Sequence, residues 1–284
     1  MTVAERPSTA SGTWIESPGS ISPTVLILGG FMTAPLMYRG LAGRLRNRGA
    51  ADVLVANVWP PDWMLAGVRG TGPLTTRSGK ALIDAVRISS RVSAGAPLLV
   101  VGHSAGGVTG RLLTAPEPFP GRRFGADRHI GALCTLGTPH RLAAGQGIGK
   151  RMNEVAASIA DLAVPGAFFA PRIGYVSVAS RAIRGDPAGS GRERLSYLMY
   201  RSIIGGAAVP GTEGDGLVPV AATDLLGSRR IVLDGILHSP TSGREWYGSD
   251  RAVDTWWPVA VEAWHQALAF RARERAAEGG NGQV

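Results

Sequence analysis

The chain has 284 residues, 44% apolar and 18% charged, with a formal net charge of +9. That composition supports a large buried core and excludes overall disorder. The length suits one domain with an insertion better than two full domains. A single cysteine, Cys134, excludes an intrachain disulfide and a multi-cysteine zinc site.

Residues 1–22 read as a flexible polar tail. The start, "MTVAERPSTASGTWIESPGS", lacks a basic region followed by a long apolar run, so no secretory signal is expected. No apolar run approaches ~18 residues, so no spanning helix is expected and the protein is placed in the cytoplasm. Lys80 and Lys150 are the only lysines; the remaining positive charge is arginine, scattered along the chain. Without basic runs interleaved with aromatics, nucleic-acid binding is not expected, and a peripheral contact with an anionic membrane stays open.

In chain order, "PTVLILGG" (Pro23–Gly30) is a buried strand ending in a turn. Tyr38, Leu41 and Leu45 follow at helical spacing, with Gly49 as a stop. "DVLVANV" (Asp52–Val58) is a second strand, and "WPPDWMLAGVRGTGPLTT" reads as an irregular loop. Thr75–Val92 is a helix with Leu82, Ile83 and Val86 facing inward. "PLLVV" is a third strand, followed by "GHSAGG" and a helix. "IGALCTLGTPH" (Ile130–His140), "RIGYVSVAS" (Arg172–Ser180) and "RRIVLDG" (Arg229–Gly235) are further strands. The last helix contains Pro258, a kink or boundary. Residues 279–284 read as a flexible tail.

Strands alternating with helices predict an α/β fold, a mostly parallel central sheet with helices on both faces. Two segments, about 141–171 and 181–214, fall outside the alternation and read as a small helical lid inserted in a single domain at 23–278.

"GHSAG" places Ser104 between Gly102 and Gly106, directly after a strand and before a helix. This is the setting of a nucleophile elbow, in which bulkier residues two before and two after the serine would collide with the neighbouring backbone. Serine needs a base and a carboxylate to become a strong nucleophile. Among five histidines, His238 follows the last strand and is the preferred base, with His140 as rival; His103 lies inside the elbow and should point away from Ser104. Asp215, in the glycine-flanked "GDG", is the preferred acid over Asp224, Asp234 and Glu213. Two backbone N–H groups should form an oxyanion hole: Ala105, and Phe31 from "LGGFMTAP", with Met32 as alternative.

These five motifs together resemble the α/β-hydrolase superfamily, in particular its lipase and esterase branch, from about Pro23 to His238. "GGF" stands where many lipases have His-Gly-x. "LGTPH" is similar to the stretch after the sixth strand in triacylglycerol lipases and inositol-deacylase-like proteins, "GDGLVP" to the acid loop and "LDGILHSP" to the histidine loop. One position departs: Gly29 replaces the usual histidine that supports the oxyanion loop. The resemblance implies hydrolysis of small-molecule or lipid esters through an acyl-enzyme. A thioesterase or acyltransferase would use the same triad, and a non-catalytic hydrolase-like binding protein is the reading from a different class. Met32, Phe168 and Phe169, with Phe31, are expected to line the substrate pocket. "SGK" and "GQGIGK" lack the context of a phosphate loop, and no metal-ligand cluster is visible, so no metal or cofactor is expected.

Overall fold

The computed structural model describes residues 21–69, 72–116, 123–143, 160–242 and 245–280. The expected tail at 1–22 therefore lies almost wholly outside the described residues, as do 281–284 and most of the first lid segment.

The elements in chain order are β1 (Thr24–Leu28), α1 (Arg39–Asn47), β2 (Asp52–Val55), α2 (Pro60–Arg69), α3 (Gly72–Val92), β3 (Leu98–His103) and α4 (Ala105–Leu113). Then come β4 (Ile130–Leu136), β5 (Gly174–Arg181), β6 (Ile183–Gly185), α5 (Gly191–Ile204), β7 (Thr212–Gly214), β8 (Arg229–Asp234) and α6 (Asp250–Gly280). Six strands form one sheet in the order β2-β1-β3-β4-β5-β8. Every neighbouring pair in it is parallel. All six strands expected from the sequence are in this sheet.

Parallel strands need helical crossovers, and the alternation of side chains along each strand gives both faces an apolar cover. On one face Val25, Ile27, Leu99, Val101 and Cys134 pack with Leu41 and Leu45 of α1 and with Trp256, Trp257 and Trp264 of α6. On the other, Leu26, Leu28, Val100 and Leu133 pack with Trp63 of α2, Leu82 and Ala85 of α3, and Ala105 of α4. The chain leaves β1 toward β2, then returns to β3 on the opposite side of β1. That reversal opens a crevice at the carboxyl ends of β1 and β3.

Several expectations need correction. The stretch after Trp59 is the helix α2, not an irregular loop. Pro60 and Pro61 occupy its first turn, where no N–H partner is lost, and Asp62 accepts from the Trp59 N–H at 2.9 Å. Ile83 is 47% exposed; the buried stripe of α3 runs through Ala81, Leu82 and Ala85 instead. Pro258 neither ends nor bounds the last helix, which runs through it. Arg271, one of the scattered arginines, is buried, as is Arg111. Arg271 donates to the carbonyls of Asp127, Arg128, Ile130 and Arg172, joining the starts of β4 and β5 to α6.

Of the two segments expected to form a lid, residues 144–159 of the first lie outside the described residues. The second contains α5, whose start is a capping box of Ser190 and Glu193. It also contains β6 and β7, an antiparallel pair absent from the sequence reading.

Candidate active site

β3 ends at His103 and α4 begins at Ala105, so the chain turns within one residue. Ser104 occupies that position with φ 54° and ψ −128°, a strained conformation for a residue with a side chain. Its N–H donates to Leu136 O at 2.9 Å, and its carbonyl accepts from Thr138 Oγ1 at 2.8 Å. A Cβ on Gly102 would lie 2.6 Å from Gly107 N, and one on Gly106 would lie 2.7 Å from Gly29 O. Both glycines are thus fixed by backbone that cannot give way. As the first helical residue, Ala105 has no carbonyl one turn behind it, so its N–H sits free at the positive end of α4.

His238 and Asp215 come together as the sequence spacing requires. His238 Nδ1 lies 2.7 Å from Asp215 Oδ2. Asp215 is 1% exposed, and its carboxylate is fully engaged. Oδ1 accepts the N–H groups of Leu217 and Val218 at 3.0 and 2.7 Å, and Oδ2 also accepts the Tyr247 hydroxyl at 3.0 Å. The His238 N–H donates to the Asp215 carbonyl at 3.0 Å, so the two residues are bound through backbone as well as side chain. Burial, then the neighbouring Asp215 charge, pushes the Tyr247 hydroxyl well above its ordinary pKa, which keeps it a donor. With Nδ1 committed to Asp215, Nε2 is the ring nitrogen left for chemistry. Ser104 and His238 are 8% and 7% exposed, so both sit at the floor of an opening rather than sealed in the core.

The rivals are engaged elsewhere. His140 is buried against Thr135 Oγ1 and Arg111, and burial holds it well below the ordinary histidine pKa. Asp224 pairs with Arg141 and Asp234 with Arg181. His103 points away from solvent and bonds to Tyr38 Oη and to the His238 carbonyl.

The loop after β1 lies directly on the elbow: a Cβ on Gly30 would be 2.9 Å from Ser104 Cβ. The Gly30 N–H is taken by Tyr38 Oη at 2.8 Å, so it is not an oxyanion donor, and Phe31 supplies the next N–H. Phe31 is 44% exposed and meets Trp63 edge-on at 5.5 Å; Met32 is 40% exposed with φ 57°. The glycine at position 29 now has a physical reason. A Cβ there would lie 2.9 Å from both Tyr38 Cε2 and Thr33 Oγ1, so Tyr38 fills the room a larger side chain would need.

Phe168 and Phe169 meet edge-on at 4.9 Å. Phe169 packs with Val108, Leu112 and Val164 beside α4, while Phe168 is 48% exposed. Both precede the amino end of β5, so the structure does not bring them to Ser104 at the carboxyl end of β3, and the expected pocket role is corrected to Phe31 and Met32 alone. The site residues that sequence reasoning missed are Tyr38, Thr33, Trp63 and Tyr247. No local pattern marks them, because each acts through a contact with a residue distant in the chain or through a loop fold that the sequence does not display.

No family model matches the chain, and a sequence comparison with curated proteins finds no match. Solved structures are similar in fold. The mature form of lipase BlEst2 from Bacillus licheniformis aligns at 16% identity with a TM-score of 0.56, over 88% of this chain and 94% of that one. Its propeptide form aligns at 16% identity and a TM-score of 0.52, over 87% of this chain and 52% of that one. Est1E from Butyrivibrio proteoclasticus aligns at 12% identity and a TM-score of 0.47, over 89% and 91% of the two chains. At such identities a likeness speaks to architecture alone; the two BlEst2 alignments, together with the parallel six-stranded sheet, show that this chain has the α/β-hydrolase fold.

Proposed function

We propose that the protein is a serine hydrolase of carboxylic esters, with Ser104 as nucleophile, His238 as general base and acid, and Asp215 as the carboxylate that holds His238. The observation that carries the reading is the 2.7 Å bond from His238 Nδ1 to a buried, fully engaged Asp215, together with a strained serine at a helix start.

His238 Nε2 takes the proton of Ser104 Oγ as that oxygen attacks the ester carbonyl. The carbonyl oxygen becomes an oxyanion, held by the N–H groups of Phe31 and Ala105 in a site of low dielectric. Asp215 stabilises the imidazolium formed and fixes its orientation. The intermediate collapses by breaking the carbon–oxygen bond to the alcohol, which leaves with the proton from His238. Water then repeats the cycle on the acyl-serine and releases the acid. Phe31 and Met32, apolar and exposed on the oxyanion loop, offer an acyl chain an apolar wall.

Turnover of nitrophenyl esters of increasing acyl length tests the reading. Medium or long chains should be preferred, and Ser104→Ala should lower kcat by about 10⁴–10⁶. Near-parent turnover by Ser104→Ala would refute the nucleophile, and a sharp preference for acetate would refute the apolar wall.

A further inference from the structure

The steps above use the Phe31 N–H as an oxyanion donor, and the loop that carries it is held by a chain of hydrogen bonds those steps do not employ. The Gly30 N–H donates to Tyr38 Oη at 2.8 Å. Tyr38 Oη lies 2.8 Å from His103 Nδ1, and His103 Nε2 lies 3.0 Å from the His238 carbonyl oxygen. That carbonyl can only accept, so Nε2 must carry the His103 proton. Burial, and then the nearby His238, pull His103 down to about 3, so the ring is neutral and Nδ1 is an acceptor. The Tyr38 proton therefore serves the bond to His103, with Thr33 Oγ1 a second, longer acceptor at 3.2 Å. The directions are fixed from end to end: Gly30 N–H to Tyr38, Tyr38 O–H to His103, His103 N–H to His238.

A second set of bonds fixes the same loop. The Gly30 carbonyl accepts from Thr33 Oγ1 at 2.7 Å and from the Thr33 N–H at 3.3 Å. The Gly30 C=O and the Phe31 N–H belong to one planar trans peptide and point in opposite directions. Holding the oxygen on Thr33 therefore aims the Phe31 N–H the other way.

We propose that Tyr38, Thr33 and His103 are positioning residues that aim the Phe31 N–H at the oxyanion and tie the loop carrying it to the loop carrying His238. This rests on the serine-hydrolase reading. The tie matters because oxyanion donor and base must serve one substrate carbonyl at once, and small displacements of such groups cost rate steeply. Tyr38 reaches both loops because its ring fills the space left by Gly29 and packs against Trp246 at 6.1 Å.

The test is steady-state kinetics on a nitrophenyl ester with Tyr38→Phe, Thr33→Val and the double variant, with melting temperature followed for each. Both single substitutions keep the side-chain shape and remove one hydroxyl. Each should lower kcat about tenfold with KM within about twofold of the parent, since the interaction exists only toward the transition state. The double variant should lose less than the product of the two, because the residues act on one peptide unit. If Tyr38→Phe fails to fold, Thr33→Val carries the same test. An active parent whose Tyr38→Phe and Thr33→Val forms turn over at the parent rate, or differ only in KM, overturns the positioning role alone. A folded parent that hydrolyses no ester overturns the serine-hydrolase reading and this role with it.

Discussion

The turn that presents Ser104 is made by its immediate neighbours in the chain, whereas the bond between His238 and Asp215 is made across it, with only Leu217 and Val218 as near neighbours holding the carboxylate. At the elbow, one strand end, one helix start and the glycines at 102 and 106 set the turn within five residues. The acid and base are 23 residues apart, Tyr247 reaches Asp215 across 32, and His103 reaches the His238 carbonyl across 135. The first arrangement is built into local backbone; the second is assembled by packing and can be weakened one side chain at a time.

The sharpest way to break the assembled half is Asp215→Asn. The amide keeps the shape but removes the charge that orients and stabilises the His238 ring, so kcat should fall about 10⁴-fold while the fold persists. Ester kinetics beside a circular-dichroism spectrum would check it; unchanged kcat would mean that another group holds His238. A smaller effect is expected from Tyr247→Phe, which removes one of the four bonds to the Asp215 carboxylate and leaves three. Here kcat should drop about tenfold with stability lower by about 1–2 kcal/mol, read from urea unfolding. A loss as large as that of Asp215→Asn would show that Tyr247 does more than support the carboxylate.

The last prediction concerns pH. His103 is held at about 3 against an ordinary 6.5 by burial and then by its neighbour His238, and His140 well below that value by burial and then by Arg111. Between these limits the unfolded chain binds more protons than the folded one. Their contribution to stability is therefore complete above about pH 6.5 and is lost as pH falls toward 3, by up to about 1.4 kcal/mol per pH unit for each ring. The urea midpoint followed from pH 8 to pH 4 should decline below about pH 6.5; a flat profile would mean that the two rings are not held neutral.

Legibility follows the same division between local and remote. The six sheet strands are short apolar runs bounded by turns, and Ser104, Asp215 and His238 are marked by glycine spacing and chain order, so both can be read directly. Helix α2 was hidden because Pro60 and Pro61 look like breakers, although the first turn of a helix accepts them. Ile83 faces solvent because the inward stripe of α3 is set by the small residues Ala81 and Ala85, which a count of large apolar positions passes over. Tyr38 was legible as a core position of a helical stretch; its hydroxyl's partners, 8 and 65 residues away, were not. Arg271 reads as one scattered charge among many because the carbonyls that receive it lie far away in the chain.

The most direct measurement is labelling with a fluorophosphonate probe, comparing the parent with Ser104→Ala and His238→Ala. The account predicts that the parent is labelled, that Ser104→Ala takes no label, and that His238→Ala labels at a rate lower by several orders of magnitude. A folded parent that takes no label, or a Ser104→Ala protein that labels like the parent, would contradict it.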